Sequence, residues 1–216
     1  MYTCSNGANQ VSAVSPPRFI VLEGIDGSGT TTQADRLTRH LESLGRKAIA
    51  TREPSTGPVG RLLRESLLAQ HKIDGQPMSG ATMALLFAAD RRDHLQREIE
   101  PALERGFDVV CDRYQWSSLA YQPAESQSLE WISHLAMGIR LPDLTLLLDL
   151  PVAVAAQRRK LALRPDERYD ADETQNAVAN NYRRLAAVDP NAQTIDASAE
   201  IESVSRLIFQ AVSRIF

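Results

Sequence analysis

The sequence predicts an α/β fold in which a parallel sheet is covered by helices on both faces. Three observations carry that reading. Short apolar segments alternate along the chain with segments of helical periodicity, and most of the apolar ones are continuous runs, as strands buried on both faces require. A glycine-rich turn joins the first run to the first helix. At 216 residues the chain has the length of one domain with embellishments.

The elements follow in order. Residues 1–17 are rich in Ser, Asn, Gly and Pro and read as a disordered extension, which places a single ordered domain over 18–216. Arg18 to Gly24 is an apolar run of strand type. Ala34, Leu37, Leu41 and Leu44 recur at helical spacing and stop at Gly45, a C-terminal cap. Lys47 to Thr51 predicts a second strand, and Val59, Leu62, Leu63 and Leu67 mark an amphipathic helix. A long helix covers about 80–104, closed by Gly106, with a break expected at Pro101. Phe107 to Cys111 predicts a third strand ending at Asp112, and Leu144 to Asp149 a fourth. A helix then runs into a charged stretch over 158–172, and a further helix, a short strand at 194–196 and a terminal helix from Ser198 complete the chain.

Composition excludes several classes. Twenty-four Lys and Arg against 27 Asp and Glu leave a net charge of −3, without the basic excess of a protein that coats nucleic acid. Cys4 and Cys111 cannot build a disulfide framework, and His40, His71, His94 and His134 form no pair at zinc-binding spacing. Residues 1–17 have no basic start and no apolar run of a secretory signal, and the longest apolar stretch, Leu144 to Leu148, is far short of the ~20 residues that span a bilayer. The expectation is a cytoplasmic protein with neither a nucleic-acid nor a membrane partner.

Chemistry concentrates where strands end. Gly24-Ile25-Asp26-Gly27-Ser28-Gly29-Thr30-Thr31, followed by Thr32, lies between the first strand and the first helix, and its outer glycines have the spacing of G-x-x-x-x-G-K-[ST]. Such a loop turns tightly, points successive N–H groups inward and adds the positive end of a helix, all of which favour phosphate. Thr31 would present a hydroxyl to a phosphate-bound Mg²⁺. The lysine position holds Thr30. A lost charge-assisted hydrogen bond is worth roughly 1.5–3 kcal/mol, so another cation has to substitute or turnover suffers. Arg158, Arg159, Lys160, Arg164 and Arg168 are the cations available downstream, although such a run also reads as a solvated helix face.

The third strand runs into Asp112-Arg113-Tyr114-Gln115-Trp116-Ser117-Ser118-Leu119-Ala120-Tyr121-Gln122. With the loop, this run resembles the signature D-R-Y/H-x-x-S-x-x-A-Y-Q of the thymidylate kinase family. The resemblance extends over about 18–215, through Thr51-Arg52-Glu53-Pro54, Leu86-Phe87-Ala88-Ala89-Asp90-Arg91, Ile99 to Gly106, and Leu141 to Thr145. It implies a P-loop NTPase three-layer sandwich with a five-stranded parallel sheet, a homodimer, and Mg-dependent transfer of the γ-phosphoryl of ATP to dTMP. It further implies that Asp26 contacts the acceptor's sugar and phosphate, that Arg52 and Arg113 bind its phosphate, and that Asp112 organises Mg²⁺ or its water. Phe87 would stack on thymine, Arg91 bond its edge, Ser118 stand where relatives read that edge with Asn or Thr, and Tyr121 crowd the sugar 2′ position with Gln122 beside it.

The charged stretch 158–172 resembles the family's mobile lid. Ser28 leaves no arginine in the loop, so donor-phosphate charge would come from the lid, with Arg158 and Arg164 the expected pair and Arg168 next. Plainer readings stand beside some of these. Phe87 shares helical spacing with Met83 and suits a core equally well, position alone does not separate Arg91 from Arg92, and Asp149 reads as a strand-end cap before Pro151. Three functions fit: a dTMP kinase whose lid replaces the lysine, a nucleotide-binding regulator that turns over poorly, or a kinase for another nucleoside monophosphate.

Overall fold

The structure is a computed structural model that describes residues 15–68, 72–73, 76–162 and 168–216. Ser15 to Pro17 lie beside Arg46, whose Nη1 donates to Ser15 Oγ at 2.7 Å; the rest of the predicted N-terminal extension lies outside the described residues. Five parallel strands form one sheet: β1 (Phe19–Glu23), β2 (Ala48–Arg52), β5 (Asp108–Asp112), β6 (Leu144–Asp149) and β7 (Ala192–Asp196), in the order β2-β5-β1-β6-β7. Two-residue strands β3 (Lys72–Ile73) and β4 (Gln76–Pro77) make a separate antiparallel pair.

Position in the sheet explains the composition of each strand. β1 and β5 are buried at every residue and are the apolar runs seen in the sequence, whereas β2, at an edge, alternates in burial. Along β1, successive side chains serve two different cores. Ile20 and Leu22 pack with Leu37 and Leu41 of α1 (Thr30–Ser43) on one face. Phe19 and Val21 pack with Val109, Cys111, Ile99 and Leu103 on the other. The two cores are the reason β1 carries no polar residue before Glu23.

α1 ends as its spacing predicts, with Gly45 at φ 80°, a left-handed geometry that costs glycine least. α2 (Pro58–Leu67) follows β2. The long helix is continuous but not uniform: α3 (Gly80–His94) passes into a π-turn over Leu95–Ile99 and then α4 (Glu100–Glu104). Pro101 cannot donate a backbone hydrogen bond and its ring crowds the carbonyl four residues earlier. A wider turn before it relieves that conflict, so the expected break takes the form of a π-turn.

α5 (Gln115–Ala124) and α6 (Leu129–Leu135) went unmarked by hydrophobic periodicity because the motif residues of α5 alternate polar and apolar around a buried face. α7 (Val152–Leu161), α8 (Asp172–Val188) and α9 (Ile201–Val212) complete the order. Among the described residues no helix is long and apolar enough to cross a membrane. The carboxyl ends of β1, β2, β5 and β6 meet at one rim of the sheet, where open parallel sheets bind ligands.

Candidate active site

The loop after β1 is shaped by contacts that exclude side chains. A Cβ on Gly24 would lie 2.8 Å from the Leu148 carbonyl oxygen, and one on Gly27 only 2.5 Å from the Ala155 carbonyl oxygen of α7. Gly27 and Gly29 have φ of 90° and 95°, and Ser28 N donates to Ile25 O at 3.0 Å to close the turn. Gly29 caps α1 without any side-chain bond, leaving the first N–H groups of Thr30, Thr31 and Thr32 to face the cleft. That cleft, of about 440 Å³, runs from the loop to Arg52, Phe87, Arg91, Tyr121 and Gln122.

Asp26 and Arg113 stand at its centre. Arg113 Nη2 donates to Asp26 Oδ1 at 2.8 Å and its Nη1 to the Gly24 carbonyl at 2.8 Å. Asp26 Oδ2 accepts from Tyr121 Oη at 2.9 Å and from Gln175 Nε2 of α8 at 2.8 Å. Arg113 sits at φ 70°, a left-handed backbone rare for a side-chain-bearing residue, and such strain persists only when surrounding contacts over-determine it. Here they do. Glu23, the last residue of β1, accepts from Tyr114 N at 2.9 Å and from Ser117 Oγ at 2.7 Å, and Tyr182 of α8 donates to it at 3.0 Å.

Burial raises the Glu23 carboxyl above its usual range, against the bonds from Ser117 and the charge of Arg113, and raises the Tyr121 and Tyr182 hydroxyls as well. Burial works against the Arg113 charge, but the oxygens of Tyr121 and Asp26, then Tyr182 and Asp112, outweigh it and hold its pKa well above the ordinary arginine range. Cys111 is buried and its thiol is pushed up mainly by desolvation, which disfavours the reactive thiolate.

Base-side residues form a second cluster. Arg91 is buried, with Nε on Glu53 Oε2 at 3.0 Å and Nη2 on Ser118 Oγ at 2.9 Å and on the Tyr114 carbonyl at 3.0 Å. Arg92, which the sequence left on equal footing, is exposed and bonds the Met137 carbonyl. Phe87 is half-buried and lines the cleft, so it meets both core and ligand space. Gln122 has no exposed surface, lines the cleft, and neither Nε2 nor Oε1 has a hydrogen-bond partner among the described residues. Arg52 is exposed at the rim, and Arg64 of α2 joins it with Nη1 on the Pro54 carbonyl at 2.6 Å.

Asp112 accepts the Thr31 hydroxyl on Oδ2, while its Oδ1 is buried without a partner. Asp149 lies apart, in an ion pair with Arg183 at 2.9 Å.

The lid side differs from the sequence expectation. Arg158 turns away from the loop and donates to the carbonyls of Ala197, Ser198 and Ala199 at 2.9, 3.2 and 3.1 Å. Arg159, one residue and about 100° further round α7, instead donates to the Asp26 carbonyl at 2.6 Å and pairs with Asp170 at 3.1 Å. Its Cγ lies 3.0 Å from where a side chain on Gly27 would begin. Arg168 ties the lid's end to α5, with Nε on Glu125 at 2.5 Å and Nη1 on the Met78 carbonyl at 2.7 Å. Arg164 lies outside the described residues. Sequence reading also missed Glu23, Gln175 and Tyr182; the seven-residue spacing of the last two put them on one face of α8, but nothing in the spacing said what that face meets.

A glycine-turned loop at the first strand's end, an orphaned carboxylate oxygen beside it and a buried arginine lining the same cleft define a P-loop kinase. Comparison gives the family. The sequence model described as thymidylate kinase matches residues 22–208. The chain is 45% identical over 186 residues to the probable thymidylate kinase of Pyrococcus abyssi, covering 86% of this chain and 91% of that one. It is 41% identical over 197 residues to the probable thymidylate kinase of Thermococcus kodakarensis, covering 90% and 96%. It is 42% identical to the thymidylate kinase of Bifidobacterium longum strain NCC 2705, covering 86% and 92%. The chain belongs to the thymidylate kinase family.

Proposed function

We propose that this protein transfers the γ-phosphoryl group of ATP to the phosphate of dTMP, giving ADP and dTDP. The observation that carries the choice of acceptor is the Gln122 amide, fully buried in the wall of the cleft near Tyr169, with neither Nε2 nor Oε1 in a well-formed hydrogen bond among the described residues. A buried amide without partners costs about 1–3 kcal/mol, and it is recovered when a ligand offers a matching donor and acceptor. The N3–H and adjacent carbonyl of thymine are such a pair. Arg91, held by Glu53 and Ser118, adds a guanidinium beside the base, and Phe87 offers a face for stacking.

Acceptor phosphate falls to Arg113 and Arg52. Arg113 is already fixed by Gly24 and Asp26, so its planar fork needs no reorganisation when phosphate arrives. Asp26 and Tyr121, joined at 2.9 Å, close the sugar side. A phosphate nucleophile requires no dedicated base, and catalysis reduces to positioning and charge neutralisation.

Donor phosphates would lie on the N–H groups of residues 27–32. The orphaned Asp112 Oδ1 and the Thr31 hydroxyl suit Mg²⁺, which takes one or two protein oxygens and otherwise water and phosphate. When bound, Mg²⁺ neutralises charge on the donor phosphates. In place of the missing loop lysine, Arg159 is the cation seated on the loop, with Arg164 and Arg168 the other lid arginines. Arg158 is left with a structural part.

The reading also includes a cytoplasmic homodimer acting on small molecules alone, as the family resemblance and the balanced charge suggest. The test is steady-state ADP release with Mg-ATP and dTMP, run beside dUMP, dCMP, dGMP and AMP. Turnover should prefer dTMP, and a faster rate with any other monophosphate would displace it as the acceptor.

A further inference from the structure

His94 takes no part in the motifs above, yet it joins the two halves of the acceptor site. It is the last residue of α3, and its side chain has no exposed surface. Nε2 lies 2.7 Å from Thr51 Oγ1 and Nδ1 lies 3.4 Å from Glu53 Oε1. Thr51 and Glu53 flank Arg52 at the carboxyl end of β2, where Arg52 and Glu53 both line the cleft. Glu53 in turn holds Arg91 through its second oxygen.

The result is one hydrogen-bonded chain, Thr51–His94–Glu53–Arg91. We propose that His94 is a positioning residue that fixes the base-side helix α3 against the strand end carrying Arg52, and so sets affinity for the acceptor nucleotide. The inference rests on the reading of this cleft as the dTMP site.

The chemistry supports a role beyond filling space. With its proton on Nδ1, a neutral imidazole donates to Glu53 while Nε2 accepts the Thr51 hydroxyl, so one tautomer satisfies both contacts. Glu98, four residues on, approaches Nε2 at 3.5 Å from the outer side. A leucine would fill this space with less desolvation but would leave the Glu53 oxygen and the Thr51 hydroxyl without their partner. The π-turn begins at the next residue, so the helix leaves its regular path directly after the contact is made. Arg91 and Phe87 lie three and seven residues before His94, on the same side of α3. A shift of His94 therefore moves both toward or away from Arg52.

Calorimetric dissociation constants for dTMP and for ATP, measured on the parent protein and on His94→Ala, His94→Asn and His94→Gln, test the proposal. A charged-group hydrogen bond of roughly 1.5–3 kcal/mol predicts that His94→Ala weakens dTMP at least about tenfold, with ATP within about twofold. His94→Asn keeps an N–H near the Nδ1 position and should return dTMP affinity to within about threefold of the parent, while His94→Gln should not. Should His94→Ala fail to fold, the Asn and Gln variants carry the same comparison. Equal dTMP affinity in those two, or parallel loss of dTMP and ATP affinity, overturns the proposal. Binding is read without turnover, so a parent protein that binds dTMP but releases no ADP would sink the kinase reading and leave this one standing.

Discussion

The acceptor half and the donor half of this cleft are built on opposite plans. On the acceptor side, charged groups are already paired: the half-buried Arg113 with Asp26 at 2.8 Å, and the buried Arg91 with Glu53 at 3.0 Å. On the donor side, the loop supplies backbone N–H groups from residues held by close glycine contacts, and the usual lysine position is Thr30. Among the described residues Arg113 is engaged with Gly24 and Asp26 at the start of that loop, and from the lid side Arg159 of α7 donates to the Asp26 carbonyl. The difference teaches where specificity and chemistry are separable. On the proposed reading, selection of the acceptor rests on side chains already fixed in ion pairs, whereas neutralisation of the donor depends on how the lid helix packs.

Breaking the acceptor side should have the largest effect. Arg113→Ala removes a guanidinium that holds both Asp26 and the incoming phosphate, and should lower kcat/KM for dTMP by about 100-fold or more. Steady-state kinetics check this, and a loss below about tenfold would remove Arg113 from the site.

The donor side comes next. Arg159→Ala should lower kcat by about 10- to 150-fold, the equivalent of one charge-assisted hydrogen bond, with the KM for dTMP little changed. Thr30→Lys in the parent should change kcat less than about threefold, because the charge is already supplied, but in the Arg159→Ala background it should recover most of the loss. Equal effects of Thr30→Lys in both backgrounds would show that Arg159 does not stand in for the lysine.

Two smaller effects sharpen the contrast. Gln122→Leu should raise the KM for dTMP about tenfold while raising Tm, since it deletes a buried amide that lacks partners, at a gain of about 1–3 kcal/mol. A fall in Tm would mean that the amide is satisfied in the free protein. Gly60→Ala should instead lower Tm. A Cβ there would lie 2.0 Å from the Ser55 carbonyl oxygen, so the loop after Arg52 must shift, at a cost of about 1–3 kcal/mol. Thermal unfolding should show the loss, with the KM for ATP unaffected.

Much of the acceptor side was legible in the sequence because its residues lie in short, ordered motifs at strand ends. Arg52, Phe87, Arg91, Asp112, Arg113, Ser118, Tyr121 and Gln122 all line one cleft. The partners that hold them were not legible. Glu23 looks like the polar end of an apolar run, and Gln175 and Tyr182 belong to a helix some 60 residues after the motif they support. His94 was passed over as a histidine without zinc spacing, since its partners lie on a neighbouring strand. Arg158 and Arg159 are adjacent in a basic run, and only the rotation of α7 against the loop shows which of them faces Asp26.

By itself the sequence determined the alternation of strands and helices, the parallel sheet and the glycine loop, because periodicity and backbone freedom are local properties. It also determined the family, since ordered motifs along one chain are specific even where the lysine is replaced. Tertiary structure decided which cation meets the loop, which carboxylate oxygen is left unpartnered and which histidine joins two elements. Those are matters of distance between residues far apart in the chain, and side-chain electrostatics and hydrogen bonding fall off over a few ångströms.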